Sequence, residues 1–283
     1  MATSWQCGKR VLSLDLPVVV GILNITPDSF SDGGKYSTTE TAVARVLEME
    51  SQGATIIDVG GESTRPGAIR VDGEEQIRRV IPAIKEIHAK SDVLISIDTT
   101  LSQVAAAAID AGASIINDVS AGEEDQSMFS LAAETGVGVV CMHRRLPPER
   151  DNYSNEYERN PESEDIVQDV IHALMERVTI AIGQGVQKNT IALDPGLGFG
   201  KSVAQNWSLV HQVQRIAELG YPVYVGASRK SFIGANAGLD IPKLRDDASV
   251  EIAKEMAGSG AHIFRVHNVS SHVRVLQSTL DST

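Results

Sequence analysis

Eight short runs of branched apolar residues, separated by longer segments with a helical pattern, constrain the fold of this chain more than any other feature. The runs are VVVGILNI (18–25), TIIDVG (55–60), VLISIDT (93–99), SIINDVS (114–120), GVVCMH (138–143), TIALDPG (190–196), PVYVGAS (222–228) and HIFRVHN (262–268). They do not alternate strictly between apolar and polar residues, which is typical of strands buried on both faces, as in a parallel sheet. The runs therefore predict buried parallel strands.

The segments between the runs carry apolar residues three or four positions apart, which predicts amphipathic helices. The clearest of these helices are predicted at 39–53, 74–88, 163–185 and 246–260. A similar junction recurs where a helix leads into a strand, as GATIID (53–58), GASIIN (112–117) and GAHIFR (260–265). Each junction starts with a glycine suited to end a helix in the left-handed conformation. The alternation of strand and helix is therefore a repeated unit.

Strands that are each followed by a helix fit a (β/α)8 TIM barrel, an α/β fold whose usual size is about 250 residues. The chain has 283 residues, of which 42% are hydrophobic, so one large domain with a sizeable core is expected. Since no linker is visible, we predict a single domain over 1–283. The alternative is an open doubly wound sheet, but that fold usually carries a Gly-rich turn after its first strand, which is not found here.

The charge of the chain argues against a nucleic-acid partner. The net charge is −12 and the pI is near 5.0, whereas a nucleic-acid binder needs a basic face. The two cysteines, Cys7 and Cys141, form neither a disulfide framework nor a CxxC motif. We see no secretory signal and no run of about 18 apolar residues. We therefore predict a cytoplasmic protein without a membrane span.

Polar residues stand at the C-terminal ends of the predicted strands, where a TIM barrel builds its active site. They are Asn24, Asp58, Asp98, Asn117, His143, Asp194, Lys230, Arg265 and His267. Each has a structural alternative, since an Asp before a helix is often an N-cap and a lone His is more often a hydrogen-bonded core residue. Together at one end of a barrel they indicate a bound polar molecule, because buried carboxylates and amides need partners.

These side chains fall into two chemical groups. Carboxylates and an amide suit a flat heterocycle with amidine-type N–H groups, because carboxylates accept paired hydrogen bonds. The residues of this group are Asp98, Asn117 and Asp194. The second group suits an anion such as a phosphate or diphosphate. Its residues are Asn24, Arg265 and His267.

A series of motifs, in order along the chain, resembles the dihydropteroate synthase family. The motifs are GILNITPDSFSDGG, DVGGESTRPGA, ISIDTT, INDVSAG, LDPGLGFGK, GASRKSFIG and RVHNV, between about residues 18 and 270. The resemblance implies a pterin-binding (β/α)8 barrel of folate biosynthesis, usually a homodimer. Such an enzyme joins 6-hydroxymethyl-7,8-dihydropterin diphosphate to 4-aminobenzoate with Mg2+, giving 7,8-dihydropteroate and diphosphate. It would also be a sulfonamide target, because sulfonamides mimic aminobenzoate; the sequence does not say whether it resists them.

The resemblance also implies roles for individual residues. The pterin would contact Asp98, Asn117, Met142, Asp194, Gly226 and Lys230. The diphosphate would contact Asn24, Thr64, Arg65, Arg265 and His267, with Asn24 also touching the metal. The aminobenzoate would contact Phe30, Thr64, Arg65, Pro66, Phe199, Lys230 and Ser231. The residues expected to act in catalysis are Asp98, Lys230, Asp32 and Arg65.

Two segments need separate interpretation. In the family, the loop NITPDSFSDGG (24–34) and the STRPG loop close over the diphosphate, exclude water and complete the aminobenzoate pocket. We expect Asp32 and Arg65 to hold the two loops in the closed form. The segment 144–165 is irregular and polar and contains three prolines, so we predict an exposed excursion. It departs from the family in length and charge, so we assign it no role.

Two other functions stay open. A pterin-binding methyltransferase domain of the corrinoid-linked type shares the barrel and the acidic pocket, but it is not expected to carry the TPDSFSDGG and STRPG loops or the SRKS segment. A catalytically inactive barrel that only binds a partner is the other. The presence of every expected polar position argues against this second alternative.

Overall fold

The structure, a computed structural model, describes residues 2–26, 38–157, 161–235 and 238–278. Two short strands, β1 (Ser4–Cys7) and β2 (Arg10–Ser13), form an antiparallel hairpin. The eight predicted strands follow as β3 (Val18–Asn24), β4 (Ile56–Gly60), β5 (Leu94–Asp98), β6 (Ile115–Asp118), β7 (Gly138–Met142), β8 (Ile191–Asp194), β9 (Tyr224–Val225) and β10 (Ile263–Val266). Every one of the eight runs therefore contains the strand it predicts.

These eight strands lie in one parallel sheet, in the order β8-β7-β6-β5-β4-β3-β10-β9. The two ends of that order meet, since Leu193 on β8 forms a parallel bridge with Val223 next to β9. The backbone N–H of Leu193 also donates to the carbonyl of Pro222 at 2.8 Å. The strands therefore form a nearly closed barrel. The TIM-barrel prediction is confirmed, and the open doubly wound alternative is wrong.

Helices separate the barrel strands as the periodic segments predict. They are α1 (Thr38–Ser51), α2 (Gly73–Lys90), α3 (Ser102–Asp110), α4 (Ser127–Thr135), α5 (Ile166–Gly183), α6 (Val203–His211), α7 (Gln214–Ala217), α8 (Ser231–Ala235), α9 (Asp246–Gly258) and α10 (Val269–Ser278). The junction glycines Gly53, Gly112 and Gly260 have φ of 99°, 121° and 94°, so all three end their helices in the left-handed region. Among the described residues, none of the helices combines the length and hydropathy that a membrane span requires.

The N-terminal hairpin, which was not predicted from the sequence, covers the end of the barrel where the strands begin. Trp5 and Cys7 are fully buried in an apolar cluster with the first residues of the barrel strands. Trp5 Nε1 donates to the carbonyl of Thr190, just before β8, at 2.7 Å. Gly138 makes room for the indole, because a Cβ at that position would lie 3.0 Å from Trp5. The hairpin thus closes one end of the barrel and leaves the other to the loops.

The segment 144–165 differs from its predicted exposed form. Asp151 and Ser154 are buried. Asp151 Oδ2 accepts a hydrogen bond from the backbone N–H of Gly200 at 2.8 Å. Asn206 Nδ2 donates to Ser154 Oγ at 3.0 Å. The exposed-excursion prediction is therefore wrong for this part, because these side chains accept hydrogen bonds from buried N–H groups of the loop after β8 and of α6.

Candidate active site

The strand ends bring the predicted polar residues around one cavity. Its lining consists of Thr64, Asp98, Asn117, Val119, Met142, Asp194, Gly196, Leu197, Phe199, Gly226, Lys230 and Arg265. The set contains every residue predicted for the pterin. It also contains Thr64 and Phe199 from the predicted aminobenzoate side and Arg265 from the predicted diphosphate side.

The register of the barrel strands explains why distant residues meet here. Asp98 on β5 pairs with Asn117 on β6, and Met142 on β7 pairs with Asp194 on β8. Each of these residues is at or near the last position of its strand. Because parallel strands end at the same edge of the sheet, their side chains surround the mouth of the barrel.

Two buried carboxylates face the cavity. Burial raises the pKa of Asp98 to about 7, although the Arg265 guanidinium opposes the shift. Burial also raises the pKa of Asp194 to about 6, while the backbone N–H of Gly196 donates to its Oδ1 at 2.7 Å and opposes the shift. Asp98 Oδ1 is buried without a hydrogen-bond partner among the described residues. A ligand N–H group would satisfy this oxygen, which makes the site suitable for a donor-rich ring.

Arg265 forms ion pairs with two carboxylates of the barrel interior. Its Nε lies 2.6 Å from Asp58 Oδ2, and its Nη2 lies 2.7 Å from Asp98 Oδ2. Asp58 is fully buried, and the same Oδ2 accepts a hydrogen bond from Asn117 Nδ2 at 3.0 Å. Sequence reasoning placed Asp58 at a strand end but assigned it no role. Its position beside Asp98 and Asn117 on successive strands was the available signal.

Lys230 lies against an aromatic ring at the edge of the cavity. Its Nζ is 4.0 Å from the centroid of Phe199, a distance typical of a cation–π contact. Burial lowers the pKa of Lys230 to about 8, the Arg265 guanidinium lowers it further, and the Asp194 carboxylate opposes the shift. The lysine is therefore enclosed between the predicted pterin and aminobenzoate sides.

The residue before Lys230 has an unusual backbone conformation. Arg229 has a φ of 61°, in the left-handed region that non-glycine residues rarely adopt. Its guanidinium pairs with Asp246 through Nε–Oδ1 and Nη2–Oδ2 distances of 2.6 and 2.8 Å. Its backbone N–H donates to Ser249 Oγ at 3.0 Å. These contacts to α9 hold the turn that points Lys230 at the cavity, and sequence reasoning did not find them.

Lys201 holds the loop after β8 from inside the protein. It is fully buried, and its Nζ donates to the carbonyls of His143, Gly196 and Phe199 at 3.2, 2.8 and 3.0 Å. The three contacts join the end of β7 to the loop that carries Phe199. The position of the lysine inside LDPGLGFGK was the available signal for this role.

The STRPG loop after β4 is fixed near both of its ends by one carboxylate. Glu62 is buried, and its Oε1 accepts a hydrogen bond from the backbone N–H of Val71 at 2.7 Å. Burial raises the pKa of Glu62. On the loop between them, Thr64 lines the cavity, whereas Arg65 is exposed and Pro66 is half-buried.

His267 lies among positively charged groups. Burial lowers its pKa to about 3, and the guanidinium groups of Arg229, Arg265 and Arg65 lower it further. Its Nδ1 is 3.0 Å from Ser228 Oγ. The Asp246 carboxylate opposes this shift of the pKa. A neutral imidazole close to these guanidinium groups suits a bound anion.

The other predicted residues are less central in the described structure. Asn24 is half-buried at the end of β3, opposite Gly60 of β4. Ser231 Oγ accepts a hydrogen bond from the backbone N–H of Ser154 at 3.0 Å. Phe30 and Asp32 lie outside the described residues.

The barrel and its acceptor-lined cavity have the architecture of a pterin-binding enzyme. In agreement, the family described as pterin binding enzyme matches residues 20–267. A dihydropteroate synthase of Streptococcus pyogenes serotype M3 is 45% identical over 268 residues, which cover 94% of this chain and 96% of that protein. The chain belongs to the dihydropteroate synthase family.

Solved structures agree with this family membership. The dihydropteroate synthase of Xanthomonas albilineans with 4-aminobenzoic acid has a TM-score of 0.90 and 40% identity, covering 100% of this chain and 98% of that one. A second structure from that organism, in complex with 7,8-dihydropteroate, has a TM-score of 0.87 and 38% identity, covering 99% of this chain and 98% of that one.

Proposed function

We propose that the protein condenses 6-hydroxymethyl-7,8-dihydropterin diphosphate with 4-aminobenzoate, giving 7,8-dihydropteroate and diphosphate, as a transferase. The observation that carries the proposal is the group of buried acceptors Asp98, Asn117 and Asp194 around one cavity. The relatives support it, since one solved neighbour contains 4-aminobenzoic acid and another contains 7,8-dihydropteroate.

The reaction requires stabilisation of positive charge on the pterin. The C–O bond to the diphosphate breaks, the aminobenzoate nitrogen bonds to the same CH2 group, and that nitrogen then loses a proton. Asp98 and Asp194 are fixed and buried, so as carboxylates they stabilise the charge that builds on the ring without first having to reorganise. Lys230 lies between the two substrates in this scheme, and its contact with Phe199 supports that position.

The leaving diphosphate is assigned to the arginines near His267. The positive charges of Arg65 and Arg265 both lower the pKa of His267, which supports a common site for an anion. Thr64 and Asn24 extend this site along the ends of β3 and β4. In this structure Arg265 forms ion pairs with Asp58 and Asp98, so it also fixes the positions of those carboxylates.

Mg2+ fits this site as an ion held largely by the diphosphate. Among the described residues, no group of three or more histidine, cysteine, aspartate or glutamate side chains is placed to hold a metal. Mg2+ commonly keeps several waters and binds through one or two protein oxygens together with substrate phosphates. The Asn24 amide oxygen at the end of β3 suits one such ligand. When bound, the ion would neutralise charge on the leaving diphosphate.

An assay with both substrates tests the proposal. We expect diphosphate release and 7,8-dihydropteroate formation that depend on 4-aminobenzoate. Methyl transfer from methyltetrahydrofolate without diphosphate release would instead identify a corrinoid-linked methyltransferase. The 45% identity to a dihydropteroate synthase supports the synthase. A sulfonamide added to the same assay measures whether the enzyme is inhibited or resistant.

We also propose that the protein is a homodimer that acts in the cytoplasm. A groove next to α6 and α9, lined in part by Trp207, Ile233, Ala248 and Ile252, offers apolar surface for a second copy. Sedimentation measurements give the oligomeric state. A monomer at all concentrations tested would rule out the dimer.

A further inference from the structure

Asp58 makes two contacts to the cavity lining without belonging to it. Its Oδ2 accepts hydrogen bonds from Asn117 Nδ2 at 3.0 Å and from Arg265 Nε at 2.6 Å. Asp58 lies on β4, opposite Ser96 of β5. The pair Asp98–Asn117 lies on β5 and β6, the next two strands of the barrel. Its other oxygen, Oδ1, is buried with no hydrogen-bond partner among the described residues. One buried oxygen thus connects two residues that line the cavity.

The contact to Asn117 fixes which way its amide points. An asparagine amide has an acceptor oxygen and a nitrogen with two hydrogens, and hydrogen-bond partners decide between its two orientations. Asp58 is ion-paired with Arg265, and an ionised carboxylate can only accept hydrogen bonds. The Asn117 nitrogen must therefore face Asp58, which leaves its oxygen and its second hydrogen for the cavity. The side chain of Asn117 makes no other hydrogen bond to the described residues.

We propose that Asp58 is a positioning residue that fixes the orientation of the Asn117 amide. This orientation decides which oxidation state of the pterin ring the cavity prefers. The inference rests on the proposed function. A 7,8-dihydropterin carries an acceptor, N1, beside a donor, N8–H, and this edge complements an amide that presents one hydrogen and one oxygen. Full oxidation of the ring turns N8 into an acceptor, which then opposes the amide oxygen.

An alternative role for Asp58 is that of a counterion for Arg265 alone. In that case its removal weakens both forms of the ring by the same factor. The ratio of the two affinities therefore separates the roles, because only the orientation of the amide distinguishes the two rings.

The test is calorimetry with 7,8-dihydropterin and with the fully oxidised pterin. We expect the wild-type protein to prefer the dihydropterin and Asp58→Leu, which has no acceptor for the Asn117 amide, to reduce that preference by about fivefold, the effect of one neutral hydrogen bond. Asp118→Leu is the matched control, since Asp118 is also fully buried but accepts hydrogen bonds from Ser120 and Gly122 instead. Its preference should equal that of the wild type. An unchanged preference in Asp58→Leu overturns the inference.

Removing the amide provides an internal check. In an Asn117→Ala background, Asp58→Leu should no longer change the preference, because no amide is left to orient. A change of the same size in that background would contradict the inference. The proposed function is judged separately, by whether the wild-type protein forms 7,8-dihydropteroate.

A measurement on the wild-type protein covers the case in which Asp58→Leu does not fold. Nuclear magnetic resonance of the ligand-free protein should show the side-chain NH2 group of Asn117 with one hydrogen exchanging slowly with solvent. Two rapidly exchanging hydrogens would mean that Asp58 does not hold the amide.

Discussion

Asp98 makes the cavity sensitive to pH near neutrality. Its pKa of about 7 is raised from 3.8 by burial, lowered in part by Arg265, and raised by the nearby Asp58, Glu62 and Asp118 carboxylates. A carboxyl group whose pKa is raised on folding favours its protonated form in the folded protein. The free energy of unfolding therefore loses this contribution as the pH rises from about 4 through 7. Ligand binding follows the opposite trend, because paired N–H donors need the ionised carboxylate.

We predict that the affinity for 7,8-dihydropterin rises by about tenfold between pH 6 and pH 8, as expected for one group with a pKa of about 7. Calorimetry at a series of pH values checks this. Asp98→Asn should bind more weakly and show a shallower dependence, with the remainder centred near the Asp194 pKa of about 6. Equal affinity at both pH values in the wild-type protein would show that Asp98 is ionised throughout this range.

The loop after β8 is held by three hydrogen bonds from Lys201 and not by regular secondary structure. We predict that Lys201→Met lowers the free energy of unfolding by about 2 kcal/mol or more, since it leaves three buried carbonyls without their donor. Pterin affinity should fall as well, because the loop carries Phe199 and follows Asp194. Urea denaturation and calorimetry measure the two effects. Lys85→Met on the exposed surface of α2 is the control and should change neither. Wild-type stability and affinity in Lys201→Met would refute this account of the loop.

The N-terminal hairpin and the active site lie at opposite ends of the barrel. We predict that Trp5→Ala costs about 3–5 kcal/mol of stability, the usual effect of removing a buried aromatic side chain. The kcat/KM of the folded variant should stay near that of the wild type. Val11→Ala, on the exposed surface of the same hairpin, should change stability by about 0.5 kcal/mol or less. A large fall in kcat/KM at a temperature where Trp5→Ala is folded would show that the hairpin acts on the distant site.

Closure of the two substrate loops is a property of the complete molecule. Because the NITPDSFSDGG and STRPG loops are expected to fold against the diphosphate, we predict ordered binding with the pterin diphosphate first. Labelled 4-aminobenzoate should bind tightly only when diphosphate is present. Asp32→Ala and Arg65→Ala should each lower turnover by about tenfold, or about 1.4 kcal/mol on the barrier, and leave binding of a pterin without diphosphate nearly unchanged. If aminobenzoate binds tightly to the protein alone, ordered closure is wrong.

Local sequence was sufficient to predict the barrel strands and the principal helices. Branched apolar runs favour buried strands, and glycines such as Gly53 and Gly260 adopt the left-handed conformation that ends a helix. Both effects act over a few neighbouring residues, so they can be read from the chain. The rule that parallel strands end at one edge then placed Asp98, Asn117 and Asp194 at the same cavity.

Contacts between residues far apart in the chain required the tertiary structure. Arg265 pairs with Asp58 across 207 positions, Lys201 reaches the carbonyl of His143, and Trp5 meets Thr190 at the closed end of the barrel. None of these contacts follows from a local pattern. Each depends on which distant side chains the closed barrel brings next to each other. The sequence by itself determined which elements form and which polar residues end the strands. Only the packed barrel decided how those residues hold one another, since buried charges and carbonyls take partners from whatever lies within hydrogen-bond distance.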